Sequence, residues 1–206
     1  MNLSNELIYF SKLCYNNRFV AATDGNLSVR TTRNTVLTTS TDICKGRIRE
    51  ADILEVDING KLIKGKKMPS SEFKMHSYIY LSRKDINAIV HTHPRFATAF
   101  AVAGIALDKV VLPEVYLKLK YVPLAKYATP STDEVPASIS KYVKDFNAIL
   151  LANHGLVTYA STLEEAYMLN EKVEQFAEIS YYARTLGGEK ELNKSQIAEL
   201  NKLKSY

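Results

Sequence analysis

Cysteine is scarce in this chain. Its 206 residues include two, Cys14 and Cys44, with no CxxC spacing, which argues against a disulfide framework and leaves two free thiols. Long apolar runs are missing as well, and none approaches the roughly 20 residues needed to cross a bilayer. The opening residues Met1-Asn2-Leu3-Ser4-Asn5-Glu6 lack the basic start and apolar stretch of a secretory signal. A cytoplasmic protein with no membrane partner is therefore expected. Charge of one sign is never concentrated: 27 basic residues face 22 acidic ones, and the net +5 is dispersed. The densest basic cluster, Lys64-Gly65-Lys66-Lys67, follows a turn and reads as a solvated loop, not a nucleic-acid contact. That balance suits an anionic small substrate. No internal repeat, low-complexity segment or linker divides the chain, so its length points to one domain spanning 1–206.

The pattern mixes strands and helices throughout and predicts a single α/β domain. Helical spacing of Leu3, Leu7, Phe10 and Cys14 predicts a helix over 2–17. Strands are predicted at 27–30, 35–39, 53–58 and 61–63, the last two flanking Asn59-Gly60, a hairpin signal because both residues tolerate positive φ. Pro69-Ser70-Ser71-Glu72 predicts a helix start running to about 83. A strand over 86–91 and a helix over 96–102 follow. The stretch 109–123 is β-prone. Ser131-Thr132-Asp133-Glu134 predicts a helix to about 144. Strands at 148–152 and 156–159 enclose a turn at Asn153-His154-Gly155. Thr162-Leu163-Glu164-Glu165 is a capping-box start for a long helix ending near Gly187-Gly188, and a last helix covers 195–204.

The chemistry concentrates where these strands end. His91-Thr92-His93 closes the run Ile86-Asn87-Ala88-Ile89-Val90. Alternate residues of a strand share a face, so the two imidazoles aim at one point, and Pro94 then ends the strand. His154 closes a second apolar run. One histidine at a strand end is more often a hydrogen-bonded structural group than a ligand. Three of the chain's four at two strand ends suggest a catalytic zinc site with an open position. Ser70-Ser71-Glu72 offers hydroxyls and backbone N–H groups at a helix start, either a simple cap or an anion site. Glu72 is a candidate fourth ligand or acid/base group, with His76 one turn on as packing or bracing. Thr23-Asp24-Gly25-Asn26 is a turn able to offer donors to phosphate.

Taken together, Gly25-Asn26-Leu27-Ser28-Val29-Arg30, Pro69-Ser70-Ser71-Glu72, Val90-His91-Thr92-His93-Pro94, Tyr127-Ala128-Thr129-Pro130 and Asn153-His154-Gly155-Leu156 resemble the class II aldolase/adducin family in order and spacing. The likeness covers nearly the whole chain. It implies a central, mostly antiparallel sheet flanked by helices and a homotetramer with active sites at subunit interfaces. It implies one Zn2+ per chain held by His91, His93 and His154, with Glu72 as catalytic group that also approaches the metal. Phosphate-binding positions map onto Gly25, Asn26, Ser40, Thr41, Ser70 and Ser71. The chain departs from the family in reading Thr38-Thr39-Ser40-Thr41 where relatives carry Thr-Pro-Ser/Thr-Gly, and Ser131 where they often carry glycine. Two catalytic tyrosines are implied. The C-terminal one corresponds to Tyr206. The other falls near Leu112, leaving Tyr116 as the nearest candidate, then Tyr121.

The activity this resemblance implies is reversible cleavage of a ketose 1-phosphate to dihydroxyacetone phosphate and a short aldehyde. Competing readings are a sugar-phosphate 4-epimerase, a methylthioribulose-phosphate dehydratase, and a non-catalytic module like the adducin head domain. The last of these resembles the fold without the metal histidines, which are intact here.

Overall fold

A computed structural model describes residues 2–32 and 35–203. One eight-stranded sheet carries the fold, in the order β4-β3-β2-β1-β5-β8-β7-β6. Its strands are β1 Asn26–Arg30, β2 Val36–Thr39, β3 Ile53–Val56, β4 Leu62–Lys64, β5 Ala88–Thr92, β6 Leu124–Ala125, β7 Ala148–Leu151 and β8 Gly155–Ala160. All neighbours pair antiparallel except β6 with β7. The helices are α1 Leu3–Asn16, α2 Phe73–Ser82, α3 Arg95–Val102, α4 Pro113–Leu119, α5 Glu134–Ile139, α6 Leu163–Thr185 and α7 Lys194–Leu203. Among the described residues no helix is long and apolar enough to cross a membrane.

Helices cover both faces of the sheet, so the central strands bury both sides and read as continuous apolar runs. Ala88 and Val90 of β5 join the core with Leu7 and Phe10 of α1, Phe100 of α3, and Val173 and Phe176 of α6. Ile89 points the other way, into the core with Met75, Ile79 and Tyr80 of α2 and Val135 and Ile139 of α5. His91 shares the parity of Ile89 and so continues on the α2 face. Register then fixes its company: Asn26 of β1 lies directly across from His91, and Ser28 across from Ile89. Directly opposed residues share a face.

The helix caps follow local chemistry. Thr162 accepts from Glu165 N at 3.2 Å, and Asn2 Oδ1 accepts from Asn5 N at 2.8 Å. Four expectations are corrected. The hairpin strands stop at Val56 and resume at Leu62, because Asp57 Oδ1 accepts from both Asn59 N and Lys61 N at 2.9 Å and winds the loop itself. Only Gly60 there takes positive φ, 89°. The β-prone stretch contains α4, where Pro113 supplies the fixed φ of a first helical position. Val115 and Leu119, four apart, turn to the core. Helix α2 starts at Phe73 with Glu72 as its cap residue. Helix α5 starts at Glu134, not near Ser131, because Ser131 adopts φ 69°, a left-handed conformation outside any right-handed helix.

Candidate metal centre

Strand β5 delivers His91 and His93 to one end of the sheet, and Pro94 caps α3 immediately afterwards. His91 is fully buried. Its Nδ1 lies 3.0 Å from Leu156 O. A carbonyl only accepts, so Nδ1 donates there and Nε2 is the nitrogen that faces the site. His154 enters from the turn between β7 and β8, where Asn153 takes φ 56°, a conformation asparagine tolerates. The ligand nitrogens of His91, His93 and His154 all lie within 4.8 Å of one another. The two Nε2 atoms of His91 and His93 are 3.3 Å apart. That matches the edge of about 3.3–3.4 Å expected between nitrogens around a small tetrahedral cation with bonds of about 2.0–2.1 Å. The three histidines fit a metal.

Glycine makes this approach possible. A Cβ on Gly155 would sit 2.5 Å from Thr92 O and 2.6 Å from His93 Cδ2. Gly155→Ala is expected to destabilise the fold by about 1–3 kcal/mol through overpacking and to lower metal content by displacing His93. Melting curves and elemental analysis check both. Unchanged metal content would show that the ring has room to give.

Glu72, on the rim of α2, reaches the same point. Its Oε1 lies 2.8 Å from His154 Nε2 and its Oε2 3.4 Å from His91 Nε2. Asn26 Nδ2 donates to Oε2 at 2.7 Å. Burial pushes this carboxyl up, but the His91 and His154 charges and hydrogen bonds outweigh it and hold Glu72 far below the usual carboxylate range. His93 is pushed down to about 3, by burial first and then by the neighbouring imidazoles, which favours the neutral, ligating form. His76 does not brace Glu72: its Nδ1 is 2.7 Å from Ser28 Oγ, which in turn lies 2.8 Å from Tyr80 OH.

The expected phosphate residues gather only in part. Gly25 adopts φ 72°, and a Cβ there would meet Val20 Cγ1 at 2.6 Å and His91 O at 2.8 Å. Asn26 Nδ2 lies 3.4 Å from Ser70 Oγ, and Ser40 bridges to Pro69. Asn26 Oδ1 and Ser40 Oγ are buried without a hydrogen-bond partner among the described residues. Such orphans are uncommon and costly unless a ligand satisfies them. Thr41 instead faces solvent, and the left-handed residue of its loop is Asp42, φ 54°. Ser71 Oγ is 2.6 Å from Ser131 Oγ, so the unusual backbone of Ser131 delivers its hydroxyl to this edge. Tyr116 lies on α4 and donates to Asn201 of α7 at 3.0 Å. Tyr206 lies outside the described residues.

Sequence reasoning missed three supporting residues. Asp24 Oδ2 lies 3.7 Å from His93 Nδ1. Asn170 Nδ2 donates to Thr92 Oγ1 at 2.6 Å. Glu174 accepts from Phe96 N at 3.0 Å and Ala97 N at 2.8 Å, capping α3 from α6. Asn170 had a signal, a polar residue among Ala166, Leu169 and Val173 on a buried helix face. Glu174 had none.

The profile described as Class II Aldolase and Adducin N-terminal domain matches residues 5–181. The chain belongs to the class II aldolase/adducin family. An L-fuculose phosphate aldolase of Methanococcus maripaludis is 37% identical over 193 residues, covering 91% of this chain and 99% of that relative. A 5-deoxy-D-ribulose 1-phosphate aldolase of Bacillus thuringiensis is 29% identical over 198 residues, 96% of this chain and 92% of its own length. Among solved structures, an L-fuculose 1-phosphate aldolase superposes with a TM-score of 0.90 at 32% identity, covering 99% of this chain and 96% of that one. This class II aldolase is therefore a lyase enzyme, with the mostly antiparallel sheet that the resemblance implied.

Proposed function

We propose that this aldolase is a zinc enzyme that reversibly cleaves a ketose 1-phosphate, L-fuculose 1-phosphate or a close analogue, into dihydroxyacetone phosphate and a short aldehyde. One observation carries the reading: three imidazole donors and Glu72 converge beside Asn26, which also reaches Ser70. His91, His93 and His154 would hold the ion, with Glu72 beside it in the resting site. A bound zinc supplies Lewis-acid polarisation to the ketone and neighbouring hydroxyl oxygens. As the C3–C4 bond breaks, the C4 hydroxyl loses its proton and the electron pair remains on C3. Glu72 returns a proton to C3 in cleavage and removes it in condensation. Tyr116 or Tyr206 exchanges a proton with the aldehyde oxygen, and the Tyr116–Asn201 contact sets α4 against the helix that leads to Tyr206. Gly25, Asn26, Ser40, Thr41, Ser70 and Ser71 receive the phosphate, which supplies binding energy remote from the reacting bond. The reading includes a cytoplasmic homotetramer. In support of assembly, α6 exposes Met168, Ile179, Tyr181 and Tyr182.

A screen of ketose 1-phosphates with zinc-loaded protein tests this, with dihydroxyacetone phosphate trapped as it forms. Release from one of them is the expected result. Interconversion of epimers without free dihydroxyacetone phosphate, or loss of water from the substrate, would replace the aldolase reaction with another of the family. No turnover of any ketose 1-phosphate would remove the substrate assignment.

A further inference from the structure

Lys45 opens a short 3-10 turn, Lys45–Arg47, and only 1% of its surface is exposed. Its Nζ donates to two main-chain carbonyls, Thr23 O at 2.9 Å and Ile43 O at 3.0 Å. None of the ion pairs among the described residues includes it. Burial pushes the ammonium down to about 8, although Asp24, Cys44 and Glu72 favour its charged form. Lysine is almost never fully buried unless paired, and an unpaired interior cation calls for an anion. Its two carbonyl partners are informative. Thr23 lies in the turn that leads to Gly25 and Asn26, and Ile43 in the loop that follows Ser40 and Thr41. The proposed phosphate residues Gly25, Asn26, Ser40, Thr41, Ser70 and Ser71 are all uncharged.

We propose that Lys45 is a positioning residue for the substrate phosphate: its ammonium ties the 23–26 turn to the 40–43 loop and supplies the positive charge that the cradle otherwise lacks. This rests on the sugar-phosphate reading above. Lysine suits the role as a compact point charge with donors that rotate to meet their acceptors. A neutral replacement leaves both carbonyls without their donor and the uncharged cradle residues without this positive charge.

The test is calorimetric binding of inorganic phosphate to zinc-loaded wild type, Lys45→Met and Lys45→Arg. Lys45→Met should weaken phosphate binding by about tenfold or more, the scale of a charged hydrogen bond. It should raise KM for the ketose 1-phosphate more than it lowers kcat, with zinc content unchanged. Lys45→Arg should keep most of the affinity. A purely structural lysine would move melting temperature and zinc content together and leave the phosphate affinity of folded protein untouched, and that result overturns the proposal. Should Lys45→Met not fold, wild type labelled with 15N-lysine serves instead, its Nζ resonance assigned by comparison with Lys45→Arg. That resonance should shift as phosphate saturates the site, and no shift while heat of binding is seen overturns the proposal. Wild type that binds no phosphate would overturn the sugar-phosphate reading itself, a separate outcome from equal binding by wild type and Lys45→Met.

Discussion

On the proposed zinc mechanism, removing the metal or replacing His91 with alanine is expected to abolish carbon–carbon cleavage. A cation acting on oxygens that gain charge in the transition state contributes several kcal/mol. At about 1.4 kcal/mol per factor of ten, the expected loss is on the order of 10³- to 10⁴-fold. His91 is the sharpest single target because its ring is fully buried and oriented by Leu156 O. Deleting it also leaves Glu72 and Asn26 facing a gap. Zinc added to chelated wild type should restore activity, and the same addition to His91→Ala should not. Elemental analysis separates lost metal from lost fold. Full activity in metal-free protein would contradict the mechanism.

Glu72→Gln gives the second large effect, of a different kind. The amide keeps the shape of the side chain, and its oxygen still accepts from Asn26 Nδ2, but it cannot carry the C3 proton. Proton transfer by a positioned group contributes about 10²–10⁴-fold. Exchange of solvent hydrogen into dihydroxyacetone phosphate should slow by that factor, while bound zinc, held mainly by the three histidines, stays largely intact. Unchanged exchange would assign Glu72 to metal binding alone.

The centre of the site was legible because period-two geometry is local. His91 and His93 share a face whatever the rest of the chain does, and a mostly apolar run ahead of each histidine marks a buried strand end. The company they keep was less so. That Asn26 stands opposite His91 is a matter of pairing between residues 65 positions apart in the chain, which spacing alone does not encode. Lys45 resembles any surface lysine in sequence, since nothing in Cys44-Lys45-Gly46 announces burial. The stretch 109–123 misled because Val110 and Val111, the β-branched pair, lie just outside α4, while Pro113 sets the helix going. Ser131, one of the departures from the family pattern, occupies left-handed backbone, as does Asp42, one residue beyond the other departure at Thr38-Thr39-Ser40-Thr41.

Asn170 and Glu174 sit one turn apart on α6 and reach, respectively, Thr92 between His91 and His93 and the first amides of α3 just beyond them. The helix is thus a splint laid behind the sheet, immobilising the short segment that bears two imidazoles. Under the proposed zinc reading, drift in this rear support would loosen the ion's grip without touching a single ligand, so the site's precision would be vulnerable at a distance.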